Sequence, residues 1–425
     1  MQLAKPFARP KEALHGLKTA YLSTYPPTEC GIATFCQDLS SSLNRTRIIS
    51  PARILAINPD GVRKQYPPEV VFQLDQHDLS DYYAAADYVN RSDIEILVVQ
   101  HEFGIYGGEY GAYLVQLLRA LEKPAVVVFH TVLTEADERM KQVAREVERL
   151  CQAVVVMNSI SAYVLTEQYG VPLRKMHFIH HGVPTFNPRL AGRFKRILGL
   201  TGRTVISTFG LINPGKGIEY AVDAMPDVVR RHPDVIYLIL GQTHPGVRRH
   251  QGESYREELA RRIERLGMGE HIHFENRYLT REELVAYLTA SDIYVTPYLN
   301  PQQAVSGALA YAVGAGKPII STPYLYAMEL LRNGRGMIVD FRNSSAISDC
   351  LNILLEDSYL RQLMATKCYR LGRKMVWSQV AEEYLTVFMA LVQQAAARVP
   401  GVAPVRALAQ PAEAPAAGLG EKGGV

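Results

Sequence analysis

TVISTFGLINPGKGIEYAVDAMPDVVRRHPDVIYLILG (204–241) is the stretch that decides the fold. A β-rich apolar run, 204–210, enters a loop holding Gly210, Gly215 and Gly217. A stretch with helical spacing follows at 217–232, then a second continuous apolar run at 235–241. Continuous Val/Ile runs, as opposed to strict alternation, mark strands buried on both faces of a parallel sheet. Strand, helix and strand in that order imply a right-handed βαβ crossover.

The same alternation extends in both directions. Downstream, strands are expected at 271–277, 292–298, 317–322 and 337–341, with helices at 253–267, 281–290, 306–315, 326–333 and 344–372. Upstream, strands are expected at 17–24, 52–57, 94–100, 124–130 and 153–158, with helices near 33–43, 108–122, 136–150 and 159–169. Between the two sets, 185–203 lacks a clear period and suits an inter-domain connection. The expected class is α/β, with two doubly wound Rossmann-like domains and a cleft between them. The boundaries fall at 1–190 and 191–375, followed by a helix over 376–394 and an Ala/Pro/Gly-rich tail over 395–425. That tail has almost no aromatic residues, so it is expected to stay disordered.

Composition narrows the function classes. The chain has 425 residues, 48% of them hydrophobic and 21% charged, which excludes collagen-like, disulfide-framework and wholly disordered proteins. No run reaches the roughly 18–20 apolar residues of a membrane span. The opening residues, MQLAKPFARPKEALHGLK, lack an apolar core, so no secretory signal is expected and a cytoplasmic location is. Five scattered cysteines with no CxxC pair suit reduced thiols and give no metal site. A net charge of +4, spread over the chain, leaves no nucleic-acid footprint.

Ligands of open α/β sheets bind beyond the carboxyl ends of strands, and the polar motifs lie there. In FGLINPGKG (209–217) the glycines let backbone amides approach an anion, and Lys216 adds a full charge. The spacing matches neither a dinucleotide nor a Walker fingerprint, and a plain βα turn with a surface lysine would look similar. In TPYLNPQQAVSGALAYAVGAGKPIIST (296–322), Ser306 and Gly307 open a helix whose first turn is bare enough to seat a phosphate. Close helix–sheet packing would also select those small residues. STYPPTECGIATF (23–35) carries Gly31 just before a helix. His101-Glu102, His130 and His180-His181 follow expected strands, without metal-ligand spacing.

Together these stretches resemble the retaining glycosyltransferase family 4, of GT-B fold, over residues 17 to about 390. The resemblance implies a nucleotide diphosphate sugar as co-substrate, a glycan or small hydroxyl acceptor, and no further cofactor, metal or nucleic acid. It places Gly210, Asn213, Lys216, Ser306 and Gly307 on the donor phosphates, with Gly31 in a facing loop. Arg277 and Tyr278 would face the donor base. His130 would lie near the transferred sugar, with His101 and Glu102 towards the acceptor. The closing segment WSQVAEEYLTVFMALV (377–392) is similar to a terminal helix that crosses back to the first domain. The family's usual E-x7-E carboxylates, on donor sugar and ribose, fall here at Gln303 and Tyr311, and its basic residue after Gly210 is Leu211. Two classes follow: a metal-independent glycosyltransferase, with Gln303 hydrogen-bonding a sugar hydroxyl, or a non-catalytic sugar-nucleotide or glycan-binding protein on the same scaffold. Another GT-B enzyme, such as an epimerase, is a third.

Overall fold

The computed structural model describes residues 16–397. Seven parallel strands form the first sheet: β1 (Thr19–Ser23), β2 (Arg53–Asn58), β3 (Val70–Asp75), β4 (Ile96–His101), β5 (Ala125–Phe129), β6 (Ala153–Val156) and β7 (Met176–Phe178). Their order is β3-β2-β1-β4-β5-β6-β7. Helices α1 (Gly31–Thr46), α2 (Leu79–Arg91), α3 (Ala112–Ala120), α4 (Glu138–Leu150) and α5 (Ser159–Glu167) cover it. The short α6 (Ala191–Ile197) lies in the connection to the second sheet.

That sheet holds β8 (Thr204–Phe209), β9 (Val235–Leu240), β10 (Ile272–Glu275), β11 (Ile293–Thr296), β12 (Ile319–Ser321) and β13 (Gly336–Ile338). Its order is β10-β9-β8-β11-β12-β13, again all parallel. Its helices are α7 (Ile218–Arg231), α8 (Pro245–Gln251), α9 (Ser254–Arg265), α10 (Arg281–Ala290), α11 (Gly307–Gly314), α12 (Leu325–Leu330), α13 (Ser344–Glu356) and α14 (Ser358–Gly372). Both sheets are doubly wound, as expected, with strands such as AVVVF and AVVV fully buried. Four elements were not anticipated: β3, α2 and the short helices α6 and α8.

The last helix, α15 (Trp377–Ala397), returns to the first domain. Trp377, Val380, Ala381, Tyr384, Leu385 and Phe388 pack with Phe35, Cys36, Leu39 and Leu43 of α1 in one buried cluster. The helix runs through Ala395–Ala397, residues expected to open the tail, because alanine is the best helix former. The rest of that tail lies outside the described residues. No helix among the described residues is long and apolar enough to cross a membrane.

The chain passes between domains through two adjacent crossings, bridged by Val183 and Val376. The Trp377 indole lies against Gly182 so closely that an added Cβ would sit 2.2 Å from the ring. Gly182→Ala is therefore expected to cost about 1–3 kcal/mol through overpacking. Thermal melting checks this: an unchanged Tm would show that the crossing is looser than described.

Candidate functional site

Each sheet reverses its winding direction once, between β1 and β4 in the first domain and between β8 and β11 in the second. Loops leaving neighbouring strands in opposite directions open a crevice at such a point. The head of α1 and the residues after β4 line it from one side. The loops after β8, β9, β10 and β11 line it from the other.

The second domain supplies the anion-seeking groups. Gly210 has a φ of 139° and Gly217 one of 61°, and a Cβ on Gly217 would lie 2.2 Å from the Pro297 carbonyl. Glycine is required there because the loop after β8 presses on the loop after β11. Leu299 N–H donates to the Gly215 carbonyl (2.9 Å) and fixes that contact. Lys216 Nζ consequently rests 3.8 Å from the centre of the buried Tyr298 ring. Asn213 braces the loop by donating Nδ2–H to the Leu211 carbonyl (3.2 Å).

Ser306 caps α11 with its hydroxyl, which accepts from Leu309 N–H (3.2 Å). Gly307 follows, and a Cβ there would approach His181 Nε2 to 3.0 Å. His181 Nδ1–H donates to the Gly182 carbonyl (2.8 Å), so Nε2 carries the lone pair beside the helix end. Gln303 holds the incoming loop by donating Nε2–H to the Val305 carbonyl (3.1 Å).

On the facing wall, His130 Nε2–H donates to Gln100 Oε1 (2.8 Å), which leaves Nδ1 as the acceptor. Its ring packs edge-on to Phe35 at 4.7 Å, and His181 meets the same ring at 5.1 Å. Glu102 accepts from the Thr131 hydroxyl and from Phe103 N–H (3.1 Å), and burial raises its carboxyl above the usual range. Gly31, the first residue of α1, is exposed, with nothing within 4 Å of an added Cβ. His101, at 1% exposure, lies in the core against Phe103, Tyr106 and Phe129 and contributes nothing to the crevice surface. Arg277 is spread between Glu275 (2.8 Å) and Glu283 (2.8 Å), so its charge is held by its own domain.

A further group joins the two walls. Asp38 of α1, 1% exposed, pairs with Arg281 and accepts from the Tyr311 phenol (3.1 Å). Burial raises its carboxyl, and the Arg281 charge opposes that rise. One turn earlier, the Thr34 hydroxyl meets Tyr278 Oη at 2.8 Å. Arg281 owes its place to a capping box: Thr280 accepts from Glu283 N–H, and Glu283 accepts from Thr280 N–H. Farther along, Glu329 accepts from Ser159 N–H (2.9 Å) and Ile160 N–H (3.1 Å) at the head of α5. Asp38 and Arg281 escaped the sequence reading. The available signal was a lone carboxylate inside the apolar stripe of α1, beside Phe35 and Leu39.

The buried histidines of the first domain have a consequence for pH. Burial pushes His101 and His130 down to about 3 and His181 to about 4, with the neighbouring histidine rings adding to the shift at His130. The unfolded chain then binds protons between these values and the ordinary histidine pKa of about 6.5. Stability from the neutral rings is complete above that value and is lost as pH falls towards 4. Ring-proton NMR is expected to show three histidines that stay neutral down to pH of about 5. Rings titrating at the ordinary value would contradict the described burial.

The comparisons with known proteins agree with this fold. Residues 193–371 match the family model of glycosyl transferases group 1. Spore coat protein SA of Bacillus subtilis (strain 168) is 24% identical over 284 residues, covering 63% of this chain and 73% of that protein. Phosphatidyl-myo-inositol mannosyltransferase of Mycobacterium leprae is 28% identical over 202 residues, 47% of this chain. The chain thus spans about half the length of that relative (49%). Among solved structures, Anabaena Alr3699/HepE in complex with UDP superposes with a TM-score of 0.66 at 16% identity, covering 88% of this chain and 100% of that one. Residues 193–371 are thus similar to the group 1 glycosyltransferases, and the chain carries the GT-B fold.

Proposed function

We propose that this protein transfers a sugar from a nucleotide diphosphate sugar to a carbohydrate or other hydroxyl acceptor, retaining the anomeric configuration and using no metal ion. The observation that carries this is the convergence of Lys216, the Gly210 loop and the bare first turn of α11 on one edge of the crevice. The bond from the anomeric carbon to phosphate breaks, and its electron pair goes to the diphosphate oxygen. Lys216 and the amides at Ser306 and Gly307 stabilise the charge that develops there. The acceptor oxygen bonds to the same face of the sugar and passes its proton to the departing phosphate. Neutral His130 offers Nδ1 to a sugar hydroxyl, Gln303 supplies an amide to the same sugar, and Glu102 faces the acceptor side. Tyr278 and Tyr311 serve the nucleoside, and Arg277 shapes the loop beneath it.

A second reading, a binding protein without turnover, draws on one specific observation. The two positions where the resembling family keeps carboxylates hold Gln303 and Tyr311, and the Tyr311 phenol already engages Asp38.

The test is nucleotide release from a panel of UDP-, GDP- and ADP-sugars, with mannose-bearing donors included because one relative is named a mannosyltransferase. Turnover with a panel member supports transfer; calorimetric binding without turnover supports the second reading. Lys216→Ala is expected to lower kcat/KM by about 10–100-fold, as for loss of a hydrogen bond to a charged group. Retention of full activity would remove Lys216 from the phosphate role.

A further inference from the structure

Four polar groups of the second domain point into the crevice: Gln242 after β9, Tyr278 and Arg281 after β10, and Tyr311 on α11. Each is engaged by the segment that opens α1. Gln242 Nε2–H donates to Glu29, Tyr278 meets Thr34, and both Arg281 and Tyr311 reach Asp38. The segment therefore offers two carboxylates and a hydroxyl. An anionic, hydroxyl-rich nucleotide diphosphate sugar offers the same kinds of acceptor.

We propose that the Glu29–Asp38 segment is an internal stand-in for the donor, an autoinhibitory clasp that holds the crevice shut until a nucleotide displaces it. The inference rests on the donor reading above. Three further observations support it. Asp38 is the one carboxylate among the buried residues of α1, a costly placement that needs a partner. Arg281 Nε is buried and hydrogen-bonds to nothing among the described residues, so Asp38 leaves that guanidinium incompletely satisfied. The recess beside Lys216, lined by Thr208, Phe209, Gly210 and Ile212, leaves no room even for a water-sized sphere. Pockets for small-molecule ligands run to about 300–1,000 Å³, so a donor requires the walls to part.

Displacement makes the clasp visible in binding. A site open for only a fraction of the time shows an affinity reduced by that fraction. Asp38→Asn keeps the shape and removes the charge. The full chain carrying it is expected, without nucleotide, to exchange amide hydrogens faster at 29–38 and 277–283. It is also expected to bind UDP or GDP about tenfold more tightly by calorimetry. Arg281→Gln should loosen the same amides but weaken nucleotide binding, because it removes a group the nucleotide takes over. Should Asp38→Asn fail to fold, Thr34→Ala carries the same test with a smaller gain in affinity. Unchanged exchange, or affinity equal to or below that of the parent, overturns the clasp while nucleotide binding by the parent leaves the donor reading standing. If exchange quickens but neither protein binds UDP, GDP or ADP, the donor reading falls and the stand-in falls with it.

Discussion

Every strand in both sheets runs parallel to its neighbours, and the rest of the molecule depends on that constraint. A parallel strand must hand its chain on at one edge of the sheet, then recover it through a helix on a face. Polar residues unsuited to the sheet interior accumulate at the carboxyl edges. The Gly210 loop, the turn before α10 and the entry to α11 occupy that edge of the second sheet. The head of α1 and the Gln100–Glu102 stretch occupy it in the first. Facing the two edges together brings groups far apart in sequence, such as Asp38 and Tyr311, into hydrogen-bond contact.

The walls divide their electrostatic work. The first domain offers neutral groups and carboxylates: His130 and His181 are held uncharged by burial, while Glu102 and Asp38 have raised carboxyls. The second offers Lys216 and Arg281, with amides at the head of α11. In a site shielded from water such charges act more strongly than on an open surface. Lys216 rests on an aromatic face, and among the described residues no salt bridge ties it to a carboxylate that would compete with a ligand phosphate.

Much of the architecture was legible because buried parallel strands write themselves as unbroken apolar runs. VIYLIL, AVVVF and AVVV are such runs, and each became a strand. What escaped was β3 and α2 at one side of the first sheet, and the short helices α6 and α8. β3 (VVFQLD) is an edge strand with only Leu74 fully buried, so its pattern carries little contrast. α2 is rich in alanine and tyrosine, with mean polarity too even to mark a stripe clearly. For the site, glycines and Lys216 were readable because their backbone roles are local. The clasp was not, because ion pairs such as Asp38–Arg281 join residues 243 positions apart, and neither residue type announces its partner. His101 illustrates the opposite failure: a polar residue at a strand end suggests exposure, yet the flanking aromatic rings close over it.

The terminal helix has a consequence for how the protein comes into being. Residues 377–391 complete the layer that covers α1, so a nascent chain holding only the first domain presents Phe35, Leu39 and Leu43 uncovered. Domains commonly fold in order of synthesis, from the amino end. Here the buried cluster around α1 cannot be completed until residues 377–391, which follow the second domain, have been made. The two domains, separate in topology, are therefore coupled in time by a single helix.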